Sequence, residues 1–155
     1  MNDLSVQILV DRACISDVIN NYAAGIDMKD WDLFRSCFAD DLEADFSSVL
    51  PIGVHHGADS WVDIIRNVLK GVDQTQHIIT NHSHDIDGNT SRSHAYLQAQ
   101  HVCLSSDSEE QHFKVGGFYD YDFARTPGGW KMKRYALHIN WTSGNPALLG
   151  SPDSQ

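Results

Sequence analysis

The second half of the chain limits the fold most strongly, because it reads as four long β-strands joined by turns. The β-like segments cover residues 75–86, 90–104, 111–125 and 130–141. They are separated by Asp87-Gly88, by a polar stretch and by Pro127-Gly128-Gly129. Asp-Gly and Pro-Gly between β-like runs are typical of hairpins. The pattern therefore predicts a long antiparallel meander.

Helical periodicity dominates the first half of the chain. Apolar residues recur at helical spacing from about residue 5 to residue 28, which predicts one helix or two joined helices. Asp30 can cap a short amphipathic helix that follows it. Residues 58–70 show a clear amphipathic pattern that is closed by Gly71.

Two shorter segments lie between these predicted helices. Residues 42–46 alternate weakly and predict a short strand. The segment 51–57 contains proline and glycine, so it predicts a loop in which His55 and His56 are solvated.

Helices followed by a meander predict an α+β fold, with N-terminal helices packed on one face of a curved, mainly antiparallel sheet. Such a sheet can enclose a pocket between its concave face and the helices. The length of 155 residues fits a single domain, assigned to residues 1–145. The Gly-, Pro- and Ser-rich residues 146–155 are expected to form a loosely ordered tail.

Charge and cysteine content exclude several classes of function. The net charge of −10 disfavours binding to nucleic acids and to anionic membranes. The sequence shows neither a signal peptide nor an apolar run of about 18 residues, so a cytoplasmic location is expected. The three cysteines are widely spaced, which indicates neither a zinc knuckle nor a disulfide framework.

Asp27 and His77 are the strongest candidates for chemistry, because both ionisable groups lie among apolar neighbours. A carboxylate is costly to desolvate unless it is paired or hydrogen-bonded. An imidazole is the side chain best suited to proton transfer near neutral pH. If folding brings the two together, they can form a proton-transfer dyad, but the sequence alone leaves that contact open.

Further histidines offer alternatives. His101 shares a strand face with small and apolar residues, which fits either a cavity or a core histidine bonded to a backbone carbonyl. His82 and His84 fall on the face opposite His77 unless a bulge intervenes. Their HxH spacing is compatible with a metal site, although the spacing suggests no third ligand, and we predict no metal.

Two tyrosines complete the candidate set. Tyr22 can reach the same cavity as Asp27 or pack in the core, and Tyr119 can act as a packing residue or as a hydrogen-bond donor. The sequence contains no GxGxxG, P-loop, GxSxG or HExxH motif. A cofactor-free acid–base reaction is the class that remains.

Several short motifs, taken in order, resemble the SnoaL-like branch of the cystatin-like, nuclear transport factor 2-like superfamily, and especially the scytalone dehydratases. They extend over about residues 8 to 142 and comprise Tyr22, Asp27, Asp30-Trp31-Asp32, Thr75-Gln76-His77, His101 and Gly129-Trp130-Lys131. The resemblance implies a cone-shaped α+β fold with a deep pocket at its open end.

The resemblance also implies roles for individual residues. It makes Asp27, His77, His101 and Tyr22 the catalytic set, and it is strongest for the first two. A related dehydrochlorinase is similar at Thr80-Asn81 as well. The implied substrate-binding residues are Phe46, Asn81, Tyr119 and Trp31.

Departures from the family pattern point away from scytalone itself as the substrate. Phe46 stands where the dehydratases carry a tyrosine, and Gly117 and Tyr119 stand where they carry serine and asparagine. The resemblance therefore predicts a dehydratase-type elimination on a small hydrophobic hydroxy-carbonyl, polyketide-like or steroid-like compound.

Two other functions remain open for such a cone. One is a non-catalytic small-molecule-binding or interaction module, in which Asp27 and His77 would be apart. The other is an isomerase or epoxide hydrolase that uses the same pocket. The resemblance also implies a homo-oligomer, a trimer or a dimer, built on the open sheet face.

Overall fold

The computed structural model describes residues 3–50, 53–104 and 111–150. The elements in chain order are α1 (Asp3–Asp27), α2 (Trp31–Ser36), β1 (Phe38–Asp45), β2 (Val54–His56), α3 (Ala58–Val68), β3 (Gln74–Asp87), β4 (Thr90–Cys103), β5 (Gln111–Thr126), β6 (Gly129–Gly144) and a 3₁₀ turn (Pro146–Leu148). The α+β class and the four long strands of the second half are confirmed.

The six strands form one sheet in the order β2-β1-β6-β5-β4-β3. The strands β3 to β6 are the predicted antiparallel meander, while β1 pairs in parallel with β6. The first strand begins at Phe38, four residues earlier than the alternation suggests.

The expected loop over 51–57 contains a short edge strand, β2, that the sequence did not reveal. His55 and His56 both lie in it, so their placement in a loop was wrong. His56 is exposed, but the His55 ring lies beside Trp61 and is within hydrogen-bond distance of Ser60. Three residues flanked by glycine and proline are too few to show a strand period.

Helix α1 is a single element that lays one apolar face on the sheet. Its buried residues are spaced by three or four positions and include Ile15, Ile19, Tyr22 and Ile26. The helix packs against β3 and β6. Gly25 lets α2 approach, because a Cβ at this position would lie 2.7 Å from the backbone nitrogen of Phe34.

Helix α2 begins as the sequence predicts, since the Asp30 carboxylate accepts a hydrogen bond from the Leu33 amide. Helix α3 buries Trp61 completely and packs against β1. The core therefore lies between the three helices and one face of the sheet.

The chain after β6 folds back toward α3. Asn145 caps the 3₁₀ turn through the Ala147 amide, and the Gly150 amide donates to the Val68 carbonyl. The rest of the predicted loose tail, residues 151–155, lies outside the described residues.

A bulge in β3 changes which histidines face the core. The pairing of β3 with β4 shifts register between Thr80 and Ser83, and Asn81 adopts a left-handed backbone with φ of 58°. The inward alternation therefore moves from odd to even positions, so His82 and His84 join the face of His77. Within the described part of the chain, no helix is long and apolar enough to cross a bilayer.

Candidate active site

Asp27 ends α1 directly opposite the start of β3, and both of its carboxylate oxygens are used there. One oxygen, Oδ1, accepts hydrogen bonds from Thr75 Oγ1 at 2.8 Å and from His77 Nδ1 at 2.7 Å. The other, Oδ2, accepts from the His77 backbone amide at 2.8 Å. Three hydrogen bonds to one strand fix the carboxylate against the imidazole.

The charge of Asp27 determines the state of the neighbouring ring. Burial alone would raise the Asp27 pKa, but the hydrogen bonds and charge of His77, with Thr75, hold that pKa below its ordinary value. The carboxylate is therefore ionised at neutral pH and can only accept hydrogen bonds. Nδ1 of His77 must therefore donate in this contact, so the neutral form of the ring has its lone pair on Nε2.

The His77 ring lines an apolar cavity of about 60 Å³ between the sheet and the helices. The imidazole side chain is only 7% exposed. The remaining walls come from every layer of the fold and consist of Tyr22, Ile26, Phe46, Val49, Leu50, Ile65, Val68, Leu69, Leu97, Ala99, His101, Val115, Tyr119, Leu137 and Leu149. The cavity thus surrounds the His77 ring with mainly apolar side chains.

His101 lines the same cavity and also bonds to the backbone, so both sequence-based alternatives apply. Its Nδ1 lies 3.1 Å from the Phe113 carbonyl oxygen, and its ring centroid lies 5.9 Å from that of His77. Burial, with a smaller contribution from His77, lowers the pKa of His101 to about 4. The ring is therefore neutral at pH 7.

Two phenols face the cavity as a pair. The hydroxyls of Tyr22 and Tyr119 are 3.1 Å apart, and the Tyr22 ring meets His77 edge to face. Complete burial raises the pKa of both tyrosines well above 10. Both hydroxyls stay protonated, and one hydroxyl proton remains after the bond between them is made.

Of the predicted substrate-binding residues, Phe46 lines the cavity, whereas Trp31 and Asn81 do not. Trp31 is half-buried against Phe34, and the Arg66 guanidinium lies 5.4 Å from its ring centre. Asn81 is exposed because it forms the bulge that turns its side chain away from the core. Neither position supports a role in substrate binding.

Sequence reasoning missed wall residues that lie outside regular strands. Val49 and Leu50 follow β1, and Leu149 follows the last turn. These residues carry no periodic signal, because their positions depend on loop geometry. Thr75 was noted only as part of a motif, although it donates to Asp27.

His82 and His84 contact serines on neighbouring elements. Both rings lie within hydrogen-bond distance of Ser16 on α1, and His84 also contacts Ser93 on β4. Across residues 3–50, 53–104 and 111–150, no three His, Cys, Asp or Glu side chains are grouped so that they could hold a metal ion.

Comparisons with known proteins agree with this fold. The chain matches the SnoaL-like domain over residues 7–136. It is 29% identical to the uncharacterised protein Rv2910c of Mycobacterium tuberculosis over 132 residues, which is 84% of this chain and 86% of that protein. The crystal structure of Kfla4162 from Kribbella flavida superposes with a TM-score of 0.84 at 29% identity, covering 91% of this chain and 97% of that one.

Two further solved structures carry enzyme names. A hexachlorocyclohexane dehydrochlorinase (LinA) of type 2 has a TM-score of 0.77 at 20% identity, covering 91% of this chain and 93% of that one. A Novosphingobium aromaticivorans protein provisionally assigned as a scytalone dehydratase has a TM-score of 0.79 at 18% identity. The match covers 97% of this chain and 98% of that one. Identities this low show a shared fold alone.

The resemblance inferred from short motifs is confirmed, together with the cystatin-like class of the fold. The family match extends over most of the sequence, from the first turns of α1 to the middle of β6. We conclude that this chain belongs to the SnoaL-like domain family.

Proposed function

We propose that the chain is a cofactor-free lyase that eliminates a small leaving group from a neutral, mainly apolar hydroxy-carbonyl compound. His77 is the general base, and Asp27 positions and stabilises its ring. The observation that carries this proposal is the 2.7 Å contact from Asp27 to Nδ1 of a histidine whose ring borders the apolar cavity.

In this mechanism Nε2 of His77 takes a proton from the carbon next to the substrate carbonyl. The electron pair of that C–H bond forms the new double bond, and the leaving group departs with its own bonding pair. Asp27 stabilises the resulting imidazolium. A positioned base contributes about 10²–10⁴-fold in rate, so the mainly apolar cavity must supply the remainder.

The leaving group or the carbonyl needs a hydrogen-bond donor in this mechanism. Tyr22 and Tyr119 provide one, because their mutual bond uses only one of two hydroxyl protons. Loss of hydroxide requires that its proton be supplied, and the imidazolium of His77 can return the proton it took. The elimination then releases one water and leaves the enzyme unchanged.

A passive binding module is the main alternative, and it predicts that Asp27 and His77 are apart. Their direct hydrogen bond favours catalysis instead. A dehydrochlorinase and a dehydratase-like protein among the structural neighbours are compatible with elimination chemistry on this fold. The cavity of about 60 Å³ favours the smaller members of the proposed substrate class.

Exchange of carbon-bound hydrogen for deuterium tests the base without requiring the natural substrate. We would incubate the protein in D₂O with small neutral ketones, β-hydroxyketones and chlorinated cyclohexanes, and follow exchange and elimination by NMR. His77→Gln should lower the rate by about 10²-fold or more. The exposed His56→Gln is the matched control and should retain the wild-type rate.

Asp27→Asn tests the positioning role. The rate should fall, because the His77 ring loses the carboxylate that orients it and that stabilises its imidazolium in the proposed step. Asp32→Asn on α2 is the control. Folded His77→Gln and Asp27→Asn proteins with wild-type rates would refute the dyad.

Product analysis separates the remaining alternatives in the same cavity. An isomerase would give exchange without loss of a group, and an epoxide hydrolase would add water. A cytoplasmic location stays a prediction from the sequence.

A further inference from the structure

His101 offers the cavity a different group from His77, because its Nδ1 faces a carbonyl rather than a carboxylate. A carbonyl oxygen can only accept, so Nδ1 of His101 donates to Phe113 and carries the ring proton. Burial keeps the ring neutral, with a pKa of about 4. The second ring nitrogen, Nε2, is therefore a lone-pair acceptor at neutral pH.

No hydrogen bond among the described residues reaches Nε2 of His101, whose ring is bonded through Nδ1 alone. The hydrocarbon side chains of the cavity wall form no hydrogen bonds, and the Tyr22 and Tyr119 hydroxyls are within hydrogen-bond distance of each other. A ligand that supplies a donor to the lone pair on Nε2 forms a hydrogen bond in mainly apolar surroundings and so gains affinity.

Charge narrows the ligand class further. No lysine or arginine is among the residues that line the cavity. An anion would enter a mainly apolar site without a cation to compensate for its lost hydration. Carboxylates and phosphates are disfavoured for this reason, and neutral molecules remain.

We propose that His101 is a specificity-determining residue, which accepts a hydrogen bond from a hydroxyl group of a neutral substrate and does not protonate the leaving group. This deepens the proposed function, on which it rests for the identity of the bound molecule as substrate. His77 then meets the acidic C–H bond while His101 meets the hydroxyl, and the 5.9 Å separation of the two rings keeps both groups within one small molecule.

The ring state of His101 can be tested without any ligand. Long-range ¹H–¹⁵N NMR spectra of the wild-type protein, assigned with His101→Gln, distinguish protonated from unprotonated ring nitrogens. We expect a protonated Nδ1 and an unprotonated Nε2 from pH 6 to pH 8. A proton on Nε2 or a charged ring in this range would overturn the proposal.

Phenol and fluorobenzene test recognition of the hydroxyl, because they are similar in shape and only phenol has a donor. The wild-type protein should bind phenol about five- to tenfold more tightly, and phenol alone should shift the Nε2 resonance of His101. His101→Leu should lose this preference and still bind fluorobenzene. Equal wild-type affinities, or a phenol preference that survives in His101→Leu, would contradict the proposal.

These readouts are independent of turnover. If His77→Gln reacts at the wild-type rate but the preference for phenol still depends on His101, the lyase proposal fails while the hydroxyl-binding role stands. If exchange depends on His77 but phenol shows no preference, only the role of His101 fails. If His101→Leu does not fold, His101→Phe replaces it. The affinities of the wild-type protein for phenol and fluorobenzene, together with the phenol-dependent shift of the Nε2 resonance, still decide the outcome.

Discussion

At the scale of the residue, two histidines that line one cavity differ in what their Nδ1 atoms contact. Nδ1 of His77 meets the Asp27 carboxylate, and the proposed role of His77 as a base depends on this contact. His101 meets a carbonyl in apolar surroundings, and its pKa falls to about 4. The sequence placed both histidines near the cavity, but their different partners depend on strand pairing, which no local pattern reveals.

The depressed pKa of His101 predicts a loss of stability in mild acid. Its folded pKa of about 4 lies below the ordinary 6.5, so the unfolded state binds the proton more readily. The free energy of unfolding should therefore fall by about 3 kcal/mol as pH decreases from 6.5 toward 4. Urea denaturation at several pH values measures this loss.

The matched variant for this pH effect is His101→Leu. It should show a smaller fall in stability over the same pH range, while the exposed His56→Gln should follow the wild type. His84 also has a pKa lowered to about 4 by burial, so part of the fall should remain in His101→Leu. An unchanged pH dependence would show that His101 is not buried neutral.

Tyr121 and Tyr135 should respond in opposite ways to loss of the hydroxyl. The buried Tyr121 hydroxyl has no hydrogen-bond partner among the described residues, whereas the Tyr135 hydroxyl accepts from Trp61 Nε1. Tyr121→Phe should be neutral or stabilise by about 1 kcal/mol, and Tyr135→Phe should destabilise by about 1–3 kcal/mol. Urea unfolding of both variants tests the contrast, and a large loss in Tyr121→Phe would contradict it.

At the scale of the element, α1 is anchored at Asp11 and ends at Asp27, the carboxylate of the proposed dyad. Asp11 is only 3% exposed and accepts hydrogen bonds from Arg125, Trp130 and Gln7. The helix could be predicted from its periodicity. Its contact with the β5–β6 hairpin could not, because the partners lie more than 100 residues away.

Removal of the Asp11 contact should therefore weaken the whole helix. Asp11→Ala leaves the Trp130 N–H buried without its acceptor and should lower the free energy of unfolding by about 2–3 kcal/mol. The exposed Asp17→Ala on the same helix is the control and should change stability by less than about 0.5 kcal/mol. Equal stabilities of the two variants in urea would show that Asp11 does not anchor α1.

At the scale of the whole molecule, the sequence predicted the layers better than the pocket. Hairpin signals and helical periods are local, so they indicated four strands and three helices in the right order. The pocket is assembled from distant segments, and this is why Leu149 was missed. The bulge at Asn81 depends on pairing with β4, so the strand could be predicted but not the change in its inward positions.

The open sheet face is where we predict self-association. It exposes Ile78, Tyr96 and Trp141 by 49%, 54% and 45% around one shallow groove. Homo-oligomerisation stays a prediction from the resemblance, and burial of such aromatic surface would favour it. Sedimentation velocity of the wild-type protein should show a dimer or trimer. Tyr96→Lys should shift the equilibrium toward the monomer, whereas the control Asp17→Lys, at an exposed position on α1, should leave the equilibrium unchanged. A monomeric wild type at high concentration would refute this prediction.

A substitution at Gly25 should disable the candidate site without altering any of the proposed catalytic groups. The backbones of α1 and α2 meet where this residue has no side chain, two positions before Asp27. Any methyl group there must push the end of α1 or the start of α2 aside. Harmful natural variation in this protein should therefore include positions that a comparison of reactive residues alone would regard as silent.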